Sequence, residues 1–411
     1  MTAATLPIPR SAVDARLVAM ISAGAVALGV LLSGFVVFEP APYELFMVAL
    51  IGVWGLTGLR ISRTVAPLLI LFVLFNIGGM LSILQMDDIK DTPMYIAVSL
   101  FLAFTAVFFA AVTEARPSLY PLIFKAWVLA ATFTSLLGVA GYFHAFPGAE
   151  LFTKYERAAG AFQDPNVFGP YLTLPGIYLL YRLLTGPVKR MPLYALPLMF
   201  IAFAIFLSFS RGAWGLFAVS AVMLVALLLI KNRNSAFRLR ILIMTGIAVV
   251  LIAVALAIAL QIPSIADLFT MRAKLVQDYD GARLGRFARH AIGYWLSTEH
   301  PLGIGPLEFG LMFGEDTHNI WLKALLDYGW LGFASWVTMI VWTLAGGFRI
   351  MFRETPWQPY LMCAWVAILG HVLLGNVIDT DHWRHFYLLI GLVWGAMALE
   401  ARRNRGLPHG G

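Results

Sequence analysis

Cysteine and charge are both scarce in this chain. A single cysteine, Cys363, stands among 411 residues, which excludes a disulfide framework and a cysteine-built metal site. Charged residues make up 12% of the sequence, about half the roughly 25% share of a soluble domain. That shortage excludes a soluble enzyme. The chain also lacks a fixed-period repeat, a low-complexity tract, and the paired Gly/Pro-broken segments in matching halves that point to an inverted-repeat transporter. Apolar residues are what it has in quantity. They form 60% of the chain and fall into blocks about 20 long, the length that crosses a hydrocarbon core. With no water inside a bilayer, each backbone group must be satisfied within its own segment, so these blocks are helices.

The pattern predicts an all-α polytopic membrane protein with about twelve transmembrane helices, near 17–38, 43–59, 64–86, 94–113, 120–145, 166–184, 192–209, 212–230, 241–262, 330–348, 359–378 and 386–400. Arg10 and Arg16 precede a long apolar run with no small-residue cleavage site, as in a signal anchor rather than a removable signal. The formal charge of +7 does not imply nucleic acid, because its placement follows the membrane. With the N-terminus in the cytoplasm, the cytoplasmic segments hold Arg60, Arg63, Lys189, Arg190, Lys231, Arg233, Arg238, Arg240, Arg349, Arg353, Arg402 and Arg403. The opposite loops hold Asp87, Asp88, Asp91, Asp164, Asp278, Asp280, Glu315, Asp316, Asp379 and Asp381. Lysine and arginine bias on short loops fixes orientation, so both termini are expected in the cytoplasm. Arg211 is the main exception to the alternation.

Residues 1–411 read as a single integral membrane domain. One large external loop, 263–329, is the place to expect chemistry. Within it, RLGRFARHAIGYW at 283–295 has helical periodicity: Leu284, Phe287, Ala288, Ala291, Ile292 and Trp295 form an apolar stripe, and Arg283, Arg286, Arg289 and His290 gather on another face. Such a helix lies along a membrane surface; its cations face either a ligand or anionic headgroups. The breaker-rich HPLGIGP at 300–306 must turn sharply. Asp316-Thr317-His318-Asn319 then precedes an amphipathic stretch closed by Gly329, with Thr317 the expected N-cap and His318 in the first turn. A proton is harder to hold near that positive helix end, favouring a neutral imidazole. The plainer alternative is a histidine bonded to a carbonyl.

Elsewhere, Arg211 falls between two apolar runs with almost no loop. An intramembrane charge is a functional hypothesis by default, although snorkelling to headgroups would also accommodate it. In RAAGAFQDPN at 157–166, Asp164 and Pro165 account for helix initiation and leave Arg157 and Asn166 unexplained. The loop DTDHWRH at 379–385 reads first as a structural ion-pair network, with sugar or metal binding as alternatives. Asp278-Tyr279-Asp280 and Asp379-Thr380-Asp381 each match the Asp-x-Asp pattern of divalent-ion sites, a short pattern common by chance.

Taken in chain order, RAAGAFQDPN, SRGAWG at 210–215, GRFARHAIGYW with HPLGIGPLEFG, and THNIWLKALLDYGWLG at 317–332 resemble the O-antigen ligase and O-antigen polymerase superfamily of bacterial membrane glycosyltransferases. The resemblance spans most of the chain through its motif order and helix count. It implies a GT-C-like fold in the inner membrane and a periplasmic active site. It also implies an undecaprenyl-pyrophosphate-linked oligosaccharide donor, and a glycan or lipid A–core acceptor. By resemblance, Arg211 and Arg286 engage the pyrophosphate and His318 is needed for transfer. Arg157, Asn166, Arg283, Arg289, His290 and Asn319 are candidate substrate-binding residues. No metal or other cofactor is expected. A surface-polysaccharide polymerase is the first reading and an O-antigen ligase the second. A lipid-linked sugar transporter or flippase, which would need charges through several helix midplanes, is the alternative from another class.

Overall fold

The computed structural model describes residues 10–58, 60–89, 91–273 and 285–406, without the side chains of 10–15, 273 and 286. Arg283, Leu284, Asp278 and Asp280 therefore lie outside the described residues.

The chain is an integral, polytopic helical bundle. In order come α1 (Arg10–Leu32), α2 (Pro42–Leu56), α3 (Ala66–Ile83), α4 (Thr92–Ala115), α5 (Leu119–Tyr142), α6 (Pro165–Tyr171), α7 (Thr173–Thr185), α8 (Met191–Leu207), α9 (Arg211–Lys231), α10 (Ser235–Ala259) and α11 (Pro263–Ala273). After the undescribed segment follow α12 (Arg286–Glu299), α13 (Glu308–Phe313), α14 (Ile320–Ile350), α15 (Gln358–Leu374) and α16 (Arg384–Asn404). A two-residue hairpin, Thr153–Lys154 against Arg157–Ala158, is the one sheet among the described residues. Among the described residues, seven segments are long and apolar enough to cross a membrane: Ala66–Ile83, Thr92–Ala115, Leu119–Tyr142, Val188–Leu207, Arg211–Lys231, Ser235–Ala259 and Ile320–Ile350. Arg16–Leu32, Pro42–Leu56 and Gln358–Leu374 are apolar but shorter. The expected sixth span is divided at Leu172 into α6 and α7, with Pro170 inside the first piece. The expected last span, α16, ends in Arg402 and Arg403.

Small residues set the closest helix approaches, as packing in lipid requires. Gly391 and Gly395 of α16 lie against Ala106 and Ala110 of α4, and Gly78 of α3 against Tyr328 and Gly332 of α14. Tyr328 also stacks on Phe75 of α3 with ring centroids 3.8 Å apart. α10 is the exception: only Ile241 and Ala259 along its length are buried.

α14 does not stop at Gly329 but kinks there, with φ +64° and ψ −174°. The break leaves backbone groups without helical partners, and HPLGIGP supplies replacement donors and an acceptor. Ile304 N and Gly305 N donate to Leu326 O at 2.8 and 3.2 Å, and Trp330 N donates to Pro301 O at 3.0 Å. Gly303 turns at φ +87°, where a Cβ would sit 2.5 Å from that same Leu326 carbonyl. The sharp turn and the helix break are thus one interlocked feature.

Loops at one end of the bundle, called here the loop face, bond to one another. Val36 N donates to Ala161 O at 2.6 Å, Arg157 Nε to Ser208 O at 2.7 Å, and Tyr95 Oη to Asp381 Oδ2 at 2.8 Å.

Candidate functional site

A cavity of about 660 Å³ opens at the loop face. Its polar lining comes from five places in the chain: Arg157 from the hairpin, Asn166 from α6, Arg211 from α9, Arg272 from α11 and His318 ahead of α14.

Arg211 owes its position to a tight elbow between α8 and α9. Ser208 ends α8, Phe209 takes a left-handed φ of +45°, and Ser210 caps α9 by accepting from Ala213 N at 3.4 Å. Arg211 is consequently the first residue of α9, and the first turn of that helix lines the cavity. A helix N-terminus adds its own partial positive charge and N–H groups to the guanidinium. Arg157 braces the elbow from outside. Besides the bond to Ser208 O, its Nη2 donates to Asn166 Oδ1 at 2.8 Å, and Asp164 caps α6 through Asn166 N at 2.8 Å. Arg157 and Asn166 therefore line the cavity as a mutually bonded pair.

Arg272 was missed by the sequence reasoning. α11 docks by Phe269, which stacks on Trp214 with centroids 5.7 Å apart, and Arg272 stands one turn further along. Its Nε is buried with no hydrogen-bond partner among the described residues. A buried donor left unpaired is costly, and an anion in the cavity would satisfy it. The available signal was the spacing Phe269-x-x-Arg272, which puts an anchor and a cation on one helix face.

His318 is not in the first turn of a helix capped by Thr317, as the sequence suggested. The cap is Asn319, whose Oδ1 accepts from Trp321 N and Leu322 N at 3.0 and 3.2 Å, so α14 starts at Ile320. Thr317 instead turns its hydroxyl to Asn319 O at 3.4 Å. His318 sits just outside the helix at φ +51°, a conformation that costs a non-glycine residue on the order of 1–3 kcal/mol and persists only where neighbours over-determine it. They do. Glu315 pairs with Arg289 at 2.5 Å, Asp316 with Lys323 at 2.8 Å, and Thr317 O accepts from His290 Nε2 at 2.9 Å. On the other side, Asn319 Nδ2 donates to Asn376 O at 3.1 Å, and Ile320 N donates to Gly375 O at 2.8 Å. The ring stays reachable, with 38% of its side-chain surface exposed, and its Nδ1 is 3.6 Å from Asp379 Oδ2.

These bonds also locate the remaining candidates. Arg289 is buried and, with His290 and Asn319, holds the 315–319 segment; none of the three lines the cavity. The predicted apolar stripe on α12 is split: Phe287, Ala291 and Trp295 are exposed, whereas Ile292 packs inward with Leu296, on the side where Arg289 and Gly293 are buried. Arg286 heads α12 next to Phe287, a cavity-lining residue; its side chain is outside the described set, as is all of Arg283.

The loop 379–385 forms the ion-pair network ranked first from sequence. Asp381 accepts from Tyr95 at 2.8 Å and pairs with His382 Nδ1 at 2.8 Å. Arg384 pairs with Glu39 at 2.8 Å and with Glu44. Burial alone would raise the Asp381 carboxyl, but His382, Lys323 and Tyr95 outweigh it and hold the group well below the usual carboxylate range. Asp379 and Asp381 have separate partners, so this Asp-x-Asp does not converge on a shared ion.

The segment containing most of this cavity has known counterparts. Residues 196–337 match the O-antigen ligase family. The matched region runs from within α8 into α14, roughly a third of the chain, and carries Arg211, Arg272, α12 and His318. No curated protein matches the chain.

Proposed function

We propose that this chain is a metal-independent, periplasm-facing glycosyltransferase of the inner membrane. In this reading it is built as a GT-C-like bundle of about twelve spans. It moves a glycan from undecaprenyl pyrophosphate to a sugar hydroxyl. The observation that carries the reading is the convergence of Arg211, Arg272 and His318, from three separate elements, on one cavity.

The chemistry suits those groups. The acceptor oxygen bonds to the anomeric carbon of the donor sugar as the bond from that carbon to the phosphate oxygen breaks. The electron pair leaves with the lipid diphosphate. Guanidinium groups stay charged when desolvated and grip phosphate oxygens bidentately; Arg211 and Arg272 supply two, and Arg286 is assigned a third. Stabilising such developing charge is usually the largest catalytic contribution. His318 takes the hydroxyl proton on Nε2 while Asp379 faces Nδ1 and orients the ring, aid worth roughly 100- to 10,000-fold.

The acceptor decides between two enzymes of the same chemistry. Growth of one lipid-linked glycan on another makes a surface-polysaccharide polymerase, the first reading; transfer of the finished glycan to lipid A–core makes an O-antigen ligase, the second. Purified protein in lipid, given a defined lipid-linked oligosaccharide with and without lipid A–core, separates them. Chain growth without the core identifies a polymerase, and product only with it a ligase. Absence of any transfer, with donor and acceptor both intact, would overturn the proposal; loss of transfer in EDTA would overturn its metal independence.

A further inference from the structure

Beside His318, but outside the cavity lining, lies a charge cluster that the transfer chemistry leaves unused. Lys323, one turn into α14, is buried. Its Nζ is 2.8 Å from Asp316 Oδ2, in the segment that carries His318, and 3.1 Å from Asp327 Oδ2, one turn further along its own helix. It also stands over the Tyr95 ring of α4, 5.5 Å from the centroid. Asp379 and Asp381 act on the same ammonium electrostatically from the 379–385 loop. One buried cation thus serves four carboxylates. Most other charges nearby are committed. Asp381 has His382 and the Tyr95 hydroxyl, with Tyr387 donating to its carbonyl at 2.6 Å; Tyr328 lies beside it as well. Arg384 pairs with Glu39 and Glu44, and Arg289 with Glu315. From α3 comes only a hydroxyl, Ser82 Oγ, donating to Asp327 O at 2.5 Å. Asp379 Oδ1 and both Asp327 oxygens are buried with no hydrogen bond among the described residues, and Lys323 is the cation that balances them.

We infer that Lys323 is a positioning residue for the transfer site: its charge balances Asp379 from within the protein, keeps that carboxylate facing His318, and sets the pH below which the histidine no longer takes the acceptor's proton. The inference rests on the base role proposed for His318 and adds the group that tunes it. Two links run from Lys323 to the ring. One is mechanical, through Asp316 to the 315–319 backbone. The other is electrostatic, through Asp379 to Nδ1, and it acts where little water screens it. The two links predict different losses. A side chain that only braced the segment would, when removed, lower turnover by one factor at every pH. Removing a positive charge instead makes every proton-binding group around it hold its proton more tightly. Loss of Lys323 therefore moves the acid limb of turnover upward in pH, and loss of an acid from the cluster moves it downward.

The test follows kcat against pH for the full chain in lipid, with a defined lipid-linked oligosaccharide as donor and acceptor. Lys323→Gln is expected to shift the acid limb upward by about one pH unit or more, and Lys323→Arg, which keeps the charge, to return it toward the wild-type position. Asp316→Asn should shift it the opposite way, and carries the test if Lys323→Gln fails to insert. Lys231→Gln, which removes a lysine bonded to Gln358 at the far end of α9, should leave the limb where it is. A second readout needs no substrate. Diethyl pyrocarbonate reacts with the neutral imidazole, and the half-exposed His318 ring is within its reach. The pH of half-modification of the His318 peptide, followed by mass spectrometry, should move with the same sign in each variant. If wild type transfers no glycan yet this shift occurs, the transfer reading fails and the tuning by Lys323 stands. A limb and a modification profile that stay in place in Lys323→Gln and Asp316→Asn, whatever the loss of turnover, overturn the inference.

Discussion

His318 Nδ1 lies 3.6 Å from Asp379 Oδ2, and the other oxygen of that carboxylate, Oδ1, is buried without a hydrogen-bond partner among the described residues. The distance is just beyond a hydrogen bond, and a small ring movement on substrate binding would close it, as catalytic contacts commonly do. A carboxylate at Nδ1 fixes the tautomer that leaves Nε2 able to accept a proton. Asp379→Asn is expected to lower kcat by on the order of a hundredfold or more with little change in donor KM. Asp379→Glu should recover part of the loss. Steady-state kinetics on the lipid-linked donor checks both, and a rise in KM with kcat intact would remove Asp379 from this role.

The guanidiniums of Arg211 and Arg272 should behave alike. Arg211→Ala and Arg272→Ala are each expected to cost about 3–4 kcal/mol of transition-state stabilisation, a 100- to 1,000-fold loss of kcat. Lysine at either position should rescue poorly, because a point charge cannot replace a bidentate fork. His318→Ala should reduce transfer by a comparable factor while the protein remains inserted and abundant. Near-normal product from Arg272→Ala would show that its buried Nε faces no ligand.

Asn319 gives a way to disturb His318 without touching it. Loss of a helix cap typically costs about 1 kcal/mol, so Asn319→Ala should lower the unfolding temperature by only a few degrees. Turnover is expected to fall much further, because the cap and the Asn376 bond hold the left-handed His318 in place. Asn319→Asp, which keeps the capping oxygen, should restore most of the stability. Parallel loss of stability and activity would mean that Asn319 acts on the fold alone.

Gly329 has no substitute at its kink. A Cβ there would sit 2.7 Å from Leu302 C and O, and the backbone is in the left-handed region. Gly329→Ala should destabilise by more than the roughly 1–3 kcal/mol of backbone strain alone, visible as loss of monodisperse protein on size exclusion. Normal yield and melting temperature would contradict the interlock with HPLGIGP.

Acid should loosen the loop 379–385 first. The folded Asp381 carboxyl titrates below its unfolded value of about 3.9, so its ionised form stabilises the fold above that pH. The contribution fades as pH falls toward the folded value. Wild-type thermal stability is therefore expected to drop below about pH 4, and Asp381→Asn to be less stable at neutrality with a flatter acid slope. Unfolding scans at several pH values compare the two.

Composition alone identified a helical membrane protein, because blocks of apolar residues have no other solution in lipid. Counting spans was harder. Breaks such as Leu172 and charged ends such as that of α16 depend on neighbouring helices, which hydropathy does not see. In the site, Arg157, Asn166, Arg211 and His318 were legible because they stand against a polar or breaker-rich local pattern. Arg289 and His290 looked identical in type to ligand-binding cations, yet Glu315 and Thr317, some 26 residues away, claim them. Asn319 prevailed over Thr317 as the cap because its amide also reaches Asn376 across the bundle. Arg272 escaped notice because its role comes from the stacking of Phe269 on Trp214, a tertiary contact.

Because α10 buries so little of itself against the protein, the surrounding lipid is what keeps it upright. α11, and with it Arg272, hangs directly from its end. Detergent extraction that strips annular lipid should therefore weaken donor affinity well before the bundle melts, and return to a lipid nanodisc should restore it.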